Sequence, residues 1–204
     1  MTGINVTLAQ ICDAIIGWLN QPVPPNPGWA AAGWESFKYV CRVHGVAPLL
    51  HQKLGGADWL DAPTRRWLAE QDSLNGRRMA KMQAELADIL ALFGHEAVPV
   101  MPLKGSILSI RYYPDPAQRP MADLDLLVRP ADFEAAARLL GRLGYEQAVV
   151  HWKHTEFSRP ENRRVVSTTG EHPDNPRSVE LHRSCRETFA GPSLDLTGLM
   201  WAGA

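Results

Sequence analysis

The chain has 204 residues, of which 45% are hydrophobic and 21% are charged, and its formal net charge is −1 at pH 7. This length and composition are typical of one globular domain, or of one and a half, with enough residues to bury a core. The near-neutral charge excludes a global basic field, so we expect no strong nucleic-acid footprint.

The first half of the chain is predicted to be helical, because its apolar residues recur at intervals of three and four. Helices are expected over residues 7–19, 33–44, 47–53 and 63–94, with a proline-rich extended loop at 21–28. The last helix carries a stripe of large apolar side chains that should face the core: Met79, Met82, Leu86, Ile89 and Phe93. The sequence therefore predicts an N-terminal helical region over residues 1–94.

After residue 94, short strands are mixed with helices. Strands are predicted over residues 98–101, 124–128, 145–150, 155–158, 165–168 and 179–181, and helices over 105–113 and 130–143. Because these elements do not alternate strictly, a doubly wound parallel sheet is disfavoured, and the later strands are expected to form an antiparallel meander. The tail, residues 192–204, shows no clean element. The prediction is an α+β fold with a second region over 95–204.

Cysteine spacing and hydropathy indicate the cellular compartment that is expected for the chain. Cys12, Cys41 and Cys185 are odd in number and far apart, which supports neither a zinc site nor a disulfide framework. The N-terminus lacks a signal-peptide pattern, and no apolar run approaches the roughly 20 residues needed to span a bilayer. We therefore expect a cytoplasmic protein with no membrane partner.

Two carboxylates stand at the start of the strand predicted over residues 124–128. Alternation along a strand puts Asp123 and Asp125 on one face and Leu124 and Leu126 on the other. Neighbouring carboxylates repel each other, and a hard divalent cation such as Mg²⁺ removes that cost. The alternatives are a solvated strand edge and acids that cap a helix. A strand-borne pair of this kind, downstream of a Gly-Ser turn, is typical of nucleotidyl transfer, in which metal ions clamp the attacking and leaving oxygens.

A phosphate-binding turn is predicted upstream of the acidic pair, where a strand passes into a helix. Gly105 would let the backbone approach a phosphate at the helix N-terminus, and Ser106 would add a hydroxyl contact. Lys104 would either neutralise phosphate charge or extend into solvent. Arg119 would hold a polyphosphate or the pyrophosphate leaving group, or instead pair with the aspartates. We expect these four residues to contact the nucleotide.

A third carboxylate is needed to complete a cation shell, and Glu180 is the favoured candidate. It stands in the run SVELHRS, where alternation places Glu180 and His182 on the face opposite to the core. The alternative is a plainly exposed strand face, and Asp115 and Asp174 are rival carboxylates in loops. His154, at a strand end, is expected to be a surface residue and not a ligand.

Several segments together resemble a known family. The run LKGSILSIRYYPDPAQRPMADLDLLVRPADFEAAARLLGRLGYE, with VHGVAPLLHQKL and VPVMPLKG before it and VELHRS after it, is similar to the uncharacterised nucleotidyltransferase-like family. That family is a branch of the polymerase-beta-like nucleotidyltransferase superfamily. The resemblance covers roughly residues 35–185 and depends on the ordered set of segments, because no single motif is specific.

The resemblance implies a polymerase-beta-like core, a short mixed sheet flanked by helices, behind the N-terminal helical region. It implies Asp123, Asp125 and Glu180 as catalytic metal ligands for two Mg²⁺ ions, with Mn²⁺ as the alternative, and the turn at Gly105 and Ser106 as the phosphate site. Two features depart from the family. The interval between the turn and the acidic pair is long, so the turn would hold phosphate in a different way. Members usually continue into a further C-terminal helical region, whereas this chain stops at Ala204, so the acceptor pocket is expected either to be incomplete or to be supplied by a partner chain.

The leading functional prediction is a Mg²⁺-dependent nucleotidyltransferase. It would move NMP from an NTP to a hydroxyl of a small molecule, a peptide, a protein or an RNA end. One rival is a non-catalytic nucleotide-binding or interaction module that retains the fold, and the presence of all three carboxylates disfavours it. Another is a toxin-like nucleotidyltransferase acting on tRNA, which the near-neutral charge disfavours.

Overall fold

The computed structural model describes residues 6–22, 24–168, 170–188 and 191–203, which form helices and strands in a mixed order. The helices are Leu8–Asn20 (α1), Ala31–His44 (α2), Ala47–Leu54 (α3), Ala62–His95 (α4), Lys104–Arg111 (α5), Phe133–Arg142 (α6) and Thr197–Ala202 (α7). The strands are Val100–Pro102 (β1), Asp123–Val128 (β2), Glu146–Val150 (β3), His154–Ser158 (β4), Ser178–His182 (β5), Arg186–Thr188 (β6) and Ser193–Asp195 (β7). These elements confirm the predicted α+β class.

The helix ends follow from local chemistry. At the start of α1, Thr7 and Gln10 form a capping box: the Gln10 N–H donates to Thr7 Oγ1 at 3.3 Å, and the Thr7 N–H donates to Gln10 Oε1 at 2.9 Å. At the end of α2, Gly45 adopts φ 62°, a left-handed conformation that glycine takes without steric cost. Both termini confirm the helix boundaries that these residues predict.

The described residues fall into two compact units. The first, called here the helical unit, lies within residues 1–79, 114–120 and 167–173, and the second, the sheet unit, lies within 80–113, 121–166 and 174–204. The long helix α4 contributes residues to both. The predicted division into regions 1–94 and 95–204 stays a prediction about domains.

An aromatic core fills the helical unit. Phe37 is fully buried, with its ring centroid 5.9 Å from that of Trp18 and 5.5 Å from that of Trp34. The indole N–H of Trp18 donates to the carbonyl of Pro25 at 3.1 Å, which anchors the proline-rich loop. Burying such rings removes large apolar areas from water, so this core is the main source of stability for the helical unit.

The sheet unit is built on a five-stranded mixed sheet with the order β1-β2-β5-β4-β3. The pair β2 and β5 is parallel, and the other neighbouring pairs are antiparallel. The predicted apolar stripe of α4 is buried, which confirms that it faces a core. In the part of the chain that the structure describes, no helix is both long enough and apolar enough to cross a membrane.

Two sequence predictions about strands are wrong. No strand forms over the described residues 165–168, where Val165 and Val166 are exposed and the Val166 N–H donates to the Asn175 side chain at 3.0 Å. Strand β6, which lies before the tail, pairs with β7 in the tail as an antiparallel hairpin and α7 follows, although no element is predicted for the tail. Both strands of this hairpin are exposed, so no buried apolar face marks them in the sequence.

Candidate active site

Acidic side chains from two neighbouring strands share one face of the sheet. In the parallel pairing of β2 and β5, Asp123 lies opposite Ser178 and Asp125 lies opposite Glu180. Because side chains alternate along a strand, Asp123, Asp125 and Glu180 project from the same face, called here the acidic face. The common face agrees with the alternation predicted from the sequence, and the metal-binding role of the three residues stays a prediction.

The opposite face of the same strands fixes this arrangement. Leu124 and Leu126 in β2 and Val179 and Leu181 in β5 are all at most 1% exposed. A shift of one residue in register would move these apolar side chains out of the core, so their burial holds the carboxylates on the acidic face. Hydrophobic packing on one side of the sheet thus positions charge on the other.

Asp125 is the most enclosed of the three carboxylates, with 2% of its surface exposed. Lys104 Nζ donates to Asp125 Oδ1 at 2.6 Å, and His182 Nε2 lies 2.9 Å from the same oxygen. Burial alone would raise the pKa of Asp125, but the hydrogen bonds from His182 and Lys104 outweigh it and hold the pKa below its ordinary value. Asp125 is therefore ionised and compensated by neighbouring donors.

Glu180 lies in a different environment at the centre of the sheet. His154 Nε2 lies 3.5 Å from Glu180 Oε1, while His182 Nε2 at 3.5 Å and Lys104 Nζ at 3.7 Å face Oε2. Burial and then the negative charges of Asp123 and Asp125 raise the pKa of Glu180. Burial and the like charges of the neighbouring carboxylates thus shift the pKa of Glu180 in the same direction.

The predicted phosphate turn is tied to the acidic strand. Ser106 is buried, and its hydroxyl accepts a hydrogen bond from the Asp125 N–H at 2.9 Å, while the Leu103 N–H donates to the Asp125 carbonyl at 2.9 Å. Gly105 is buried in the first turn of α5. The backbone of Lys104 adopts φ 45°, a conformation that strains a residue with a side chain. Phosphate binding by this turn stays a prediction.

Arg119 and the rival carboxylates have other partners. Arg119 lies in the helical unit, where its guanidinium donates to the Pro120 carbonyl at 3.4 Å, and its predicted contact with phosphate stays a prediction. The Asp115 carboxylate accepts from the Ala117 N–H at 2.9 Å. Asp174 pairs with Lys81. These contacts leave Glu180 as the carboxylate in register with Asp125.

Strand β4 adds two residues that the sequence prediction omits. His154 pairs with His182 and Glu156 pairs with Glu180 in the antiparallel register of β4 and β5. The expectation that His154 is a surface residue is wrong, because its side chain is only 17% exposed and its Nδ1 is buried. Burial lowers the pKa of His154, and the nearby His182 and His151 lower it further. The sequence carries one sign of this position. In HTEFS, Thr155 and Phe157 face the core, so alternation places His154 and Glu156 on the opposite face of the sheet.

A small cavity lies beside these groups in the sheet unit. It has a volume of about 240 Å³, and its basic lining residues are Lys104, Lys153 and Arg186. His182 and Cys185 also line it, together with three apolar side chains: Leu103, Leu196 and Met200. Lys153 pairs with Glu187, another lining residue. A cavity with basic groups and an apolar wall suits an anionic ligand that carries an apolar part.

The acidic face carries carboxylate oxygens, which are the donors that hard divalent cations such as Mg²⁺ take. The strands of a sheet lie about 4.8 Å apart, so carboxylates from β2 and β5 can share one ion. Among the described residues, the side chains of His154, Glu180 and His182 also place one ligand atom each within 4.8 Å of one another. The face thus offers oxygen donors for Mg²⁺ and, next to them, a mixed nitrogen and oxygen set.

Comparison with known families agrees with this geometry. The model of a family described as an uncharacterised nucleotidyltransferase matches residues 30–204, which include the acidic face, the turn and the cavity. No match is found among curated proteins or among solved structures.

Proposed function

The chain belongs to the uncharacterised nucleotidyltransferase family, and from this premise we propose that it transfers NMP from an NTP to a hydroxyl acceptor with the help of Mg²⁺. In this reaction the acceptor oxygen forms a bond to the α-phosphorus, and the bond between that phosphorus and the pyrophosphate oxygen breaks. The hydroxyl proton leaves to a base or to water. The acceptor is a small molecule, a peptide, a protein or an RNA end.

The observation that carries the proposal is the register of Asp125 opposite Glu180 on parallel strands, with Asp123 two residues before Asp125. Three carboxylates on one face are costly in a folded protein unless a cation neutralises them. Their apolar neighbours hold them there, so the arrangement favours a functional site over a solvated strand edge.

Asp123, Asp125 and Glu180 would hold one or two Mg²⁺ ions through their carboxylate oxygens. Bound Mg²⁺ would polarise the α-phosphate and lower the cost of negative charge on the attacking and leaving oxygens. The contribution of the chain itself is to position these oxygens. His182 orients Asp125 through the 2.9 Å contact to Oδ1, and Ser106 fixes the backbone of the same residue.

Lys104 has a distinct role in the proposal. Its ammonium lies 2.6 Å from Asp125 and 3.7 Å from Glu180, and it compensates both carboxylates. The side chain is 57% exposed and lines the cavity, so its ammonium can reach a phosphate there, and Mg²⁺ held by the carboxylates would then compensate the buried Asp125. We expect Lys104 to transfer its contact to the triphosphate when nucleotide binds, because phosphate oxygens compete for the same donor.

The cavity lined by Lys104, Lys153 and Arg186 is the proposed position of part of the nucleotide. Its volume of about 240 Å³ lies below the roughly 300 Å³ of typical small-molecule pockets, so it would enclose part of an NTP and leave the rest exposed. The basic side chains suit phosphate oxygens, and Leu196 and Met200 suit an apolar face such as that of a base.

The decisive experiment is label transfer. The protein is incubated with each of the four NTPs, labelled at the α-phosphate, with Mg²⁺ and a cell extract, and the labelled product is identified. We expect label on a protein, small molecule or RNA with the wild-type chain and with the control Asp88→Asn, which changes an exposed carboxylate on α4. Asp123→Asn should lower the yield by about 100-fold or more, because loss of even an indirect metal contact costs 10–100-fold in affinity.

The outcomes separate the alternatives. Label confined to tRNA would favour the toxin-like activity over the other acceptors. Binding of NTP without transfer to any component would contradict the proposed reaction and favour a non-catalytic module. A cytoplasmic location stays a prediction.

A further inference from the structure

We propose that His154, Glu180 and His182 bind a transition-metal ion, with Zn²⁺ or Co²⁺ preferred over Mg²⁺, at a position next to the aspartate pair. This site goes beyond the proposed function, which needs only carboxylate oxygens and Mg²⁺. The two positions share Glu180 and are otherwise built from different residues and different donor atoms.

The distances within this cluster fit an ion better than they fit hydrogen bonds. His154 Nε2 lies 3.5 Å from one oxygen of Glu180, and His182 Nε2 lies 3.5 Å from the other. Nitrogen-to-oxygen hydrogen bonds are usually about 2.7–3.2 Å long. Two ligands about 2.1 Å from a tetrahedral zinc ion lie about 3.4 Å apart, which is close to both separations.

Strand pairing places the two imidazoles together. His154 and His182 are register partners on β4 and β5, and their ring centroids lie 5.1 Å apart. Glu180 is two residues before His182 on the same face of β5. The cluster is therefore held by the central strands of the sheet and does not depend on a loop, which favours a preformed site.

Hydrogen bonding does not account for the position of His154. Its Nδ1 is buried with no hydrogen-bond partner among the described residues, and its Nε2 approaches Glu180 only to 3.5 Å. A buried polar atom without a partner carries a desolvation cost. Coordination through Nε2 would give this ring a bonded nitrogen that its 3.5 Å contact with Glu180 does not provide, while Nδ1 would stay without a partner among the described residues.

The donor set decides which ion is preferred. Imidazole nitrogen suits zinc and cobalt, whereas Mg²⁺ takes oxygen donors and keeps most of its waters. Two histidines and one carboxylate leave a fourth tetrahedral position open, which is the pattern of catalytic zinc sites and not of closed structural ones. Ligation would replace the contact of His182 Nε2 with Asp125, and in the absence of nucleotide Lys104 would continue to compensate that carboxylate.

The test uses metal alone, with no nucleotide present. The metal-free full chain is titrated with Co²⁺ and followed by visible absorption, and with Zn²⁺ and Mg²⁺ by calorimetry. We expect one Co²⁺ or Zn²⁺ per chain, bound at least about tenfold more tightly than Mg²⁺, with an absorption intensity typical of four-coordinate cobalt.

Variants assign the ion to these residues. His154→Ala should lower the Co²⁺ affinity by about 100-fold or more, because loss of a residue that only supports a ligand already costs 10–100-fold. The matched control is His151→Ala, which changes an exposed histidine whose ring lies 4.8 Å from that of His154. It should keep the wild-type affinity within about threefold. His182→Gln provides a second ligand variant if circular dichroism shows that His154→Ala is unfolded.

Two results would overturn the proposal: equal affinity of the wild-type chain for Co²⁺ and Mg²⁺, or an equal loss in His151→Ala and His154→Ala. Neither result concerns transfer from an NTP, so failure of this metal site and failure of the proposed reaction are measured separately.

Discussion

The aromatic core of the helical unit and the acidic face of the sheet unit are ordered by opposite physical effects. In the core, Phe37 is surrounded by indole rings and Trp18 donates its N–H to a backbone carbonyl. On the acidic face, Asp125 and Glu180 lie side by side and depend on Lys104 and two histidines for compensation. Each apolar side chain buried in the aromatic core stabilises the fold, whereas holding the charged side chains of the acidic face close together lowers its stability.

This difference supports the proposal that the acidic face is the functional region. A core residue can be explained by the area that it removes from water. The charged groups of the acidic face cannot, since burial raises the pKa of Glu180, the backbone of Lys104 is strained, and the Nδ1 of His154 is buried without a hydrogen-bond partner in the described part of the chain. Strain, shifted pKa values and unpaired buried atoms that occur together in this way are typical of functional sites.

The largest expected effect is loss of packing in the helical unit. Phe37→Ala should lower the free energy of unfolding by about 3–5 kcal/mol, because it leaves a cavity among rings that cannot collapse. The control is Tyr39→Ala on the same helix, where the ring is 53% exposed and the change should stay within about 0.5 kcal/mol. Urea unfolding followed by tryptophan fluorescence measures both, and equal effects would show that the core assignment is wrong.

A smaller effect is expected at the hydrogen bond between the Ser106 hydroxyl, in the predicted phosphate turn, and the backbone of Asp125 in β2. Ser106→Ala should destabilise the chain by about 1–3 kcal/mol, because it removes the acceptor of the buried Asp125 N–H. Ser109 lies on the same helix and is equally buried, but its hydroxyl has no partner among the described residues. Ser109→Ala should therefore be neutral or stabilising. Thermal unfolding of the two variants tests the pair, and the reverse order would contradict the proposed link.

The smallest expected effect concerns Glu171, a half-buried acid in the helical unit. Burial raises the pKa of Glu171, and the charge of Arg78 offsets only part of this rise. The folded state therefore favours the protonated acid, so the stability that Glu171 contributes is fully present below the ordinary carboxyl pKa and is lost as the pH rises through the raised pKa. Glu171→Gln, which stays neutral, should gain stability relative to the wild type over that rise in pH. Exposed Glu70→Gln should show no such trend in parallel denaturation curves.

Periodicity predicted most of the fold because most of its elements bury one face. The stripe of α4 and the alternation of β2 and β5 carry their apolar residues at the spacing of a helix or a strand. The hairpin of β6 and β7 has no buried face, so the same reasoning could not find it. Over residues 165–168 the pattern was misleading, because the Asn175 side chain takes the backbone donor that a neighbouring strand would have paired.

The candidate site was predictable as far as the spacing of its carboxylates. Asp123, Asp125 and Glu180 follow from alternation and from the resemblance to the family. His154 and Glu156 do not, because their place beside Glu180 depends on the antiparallel register of β4 and β5, which local sequence does not determine. His154 and Glu156 reach the acidic face only because β4 pairs with β5, whose partner residues lie about 25 positions further along the chain.

The most direct test of the central claim, that the acidic face binds nucleotide through Mg²⁺, is calorimetric titration of the chain with each NTP in the presence and absence of Mg²⁺. We expect binding that weakens by at least about tenfold without Mg²⁺, because bare carboxylates repel the triphosphate, and a similar loss in Asp123→Asn but not in Asp88→Asn. Tight binding that is independent of Mg²⁺ and unchanged in Asp123→Asn would contradict the claim.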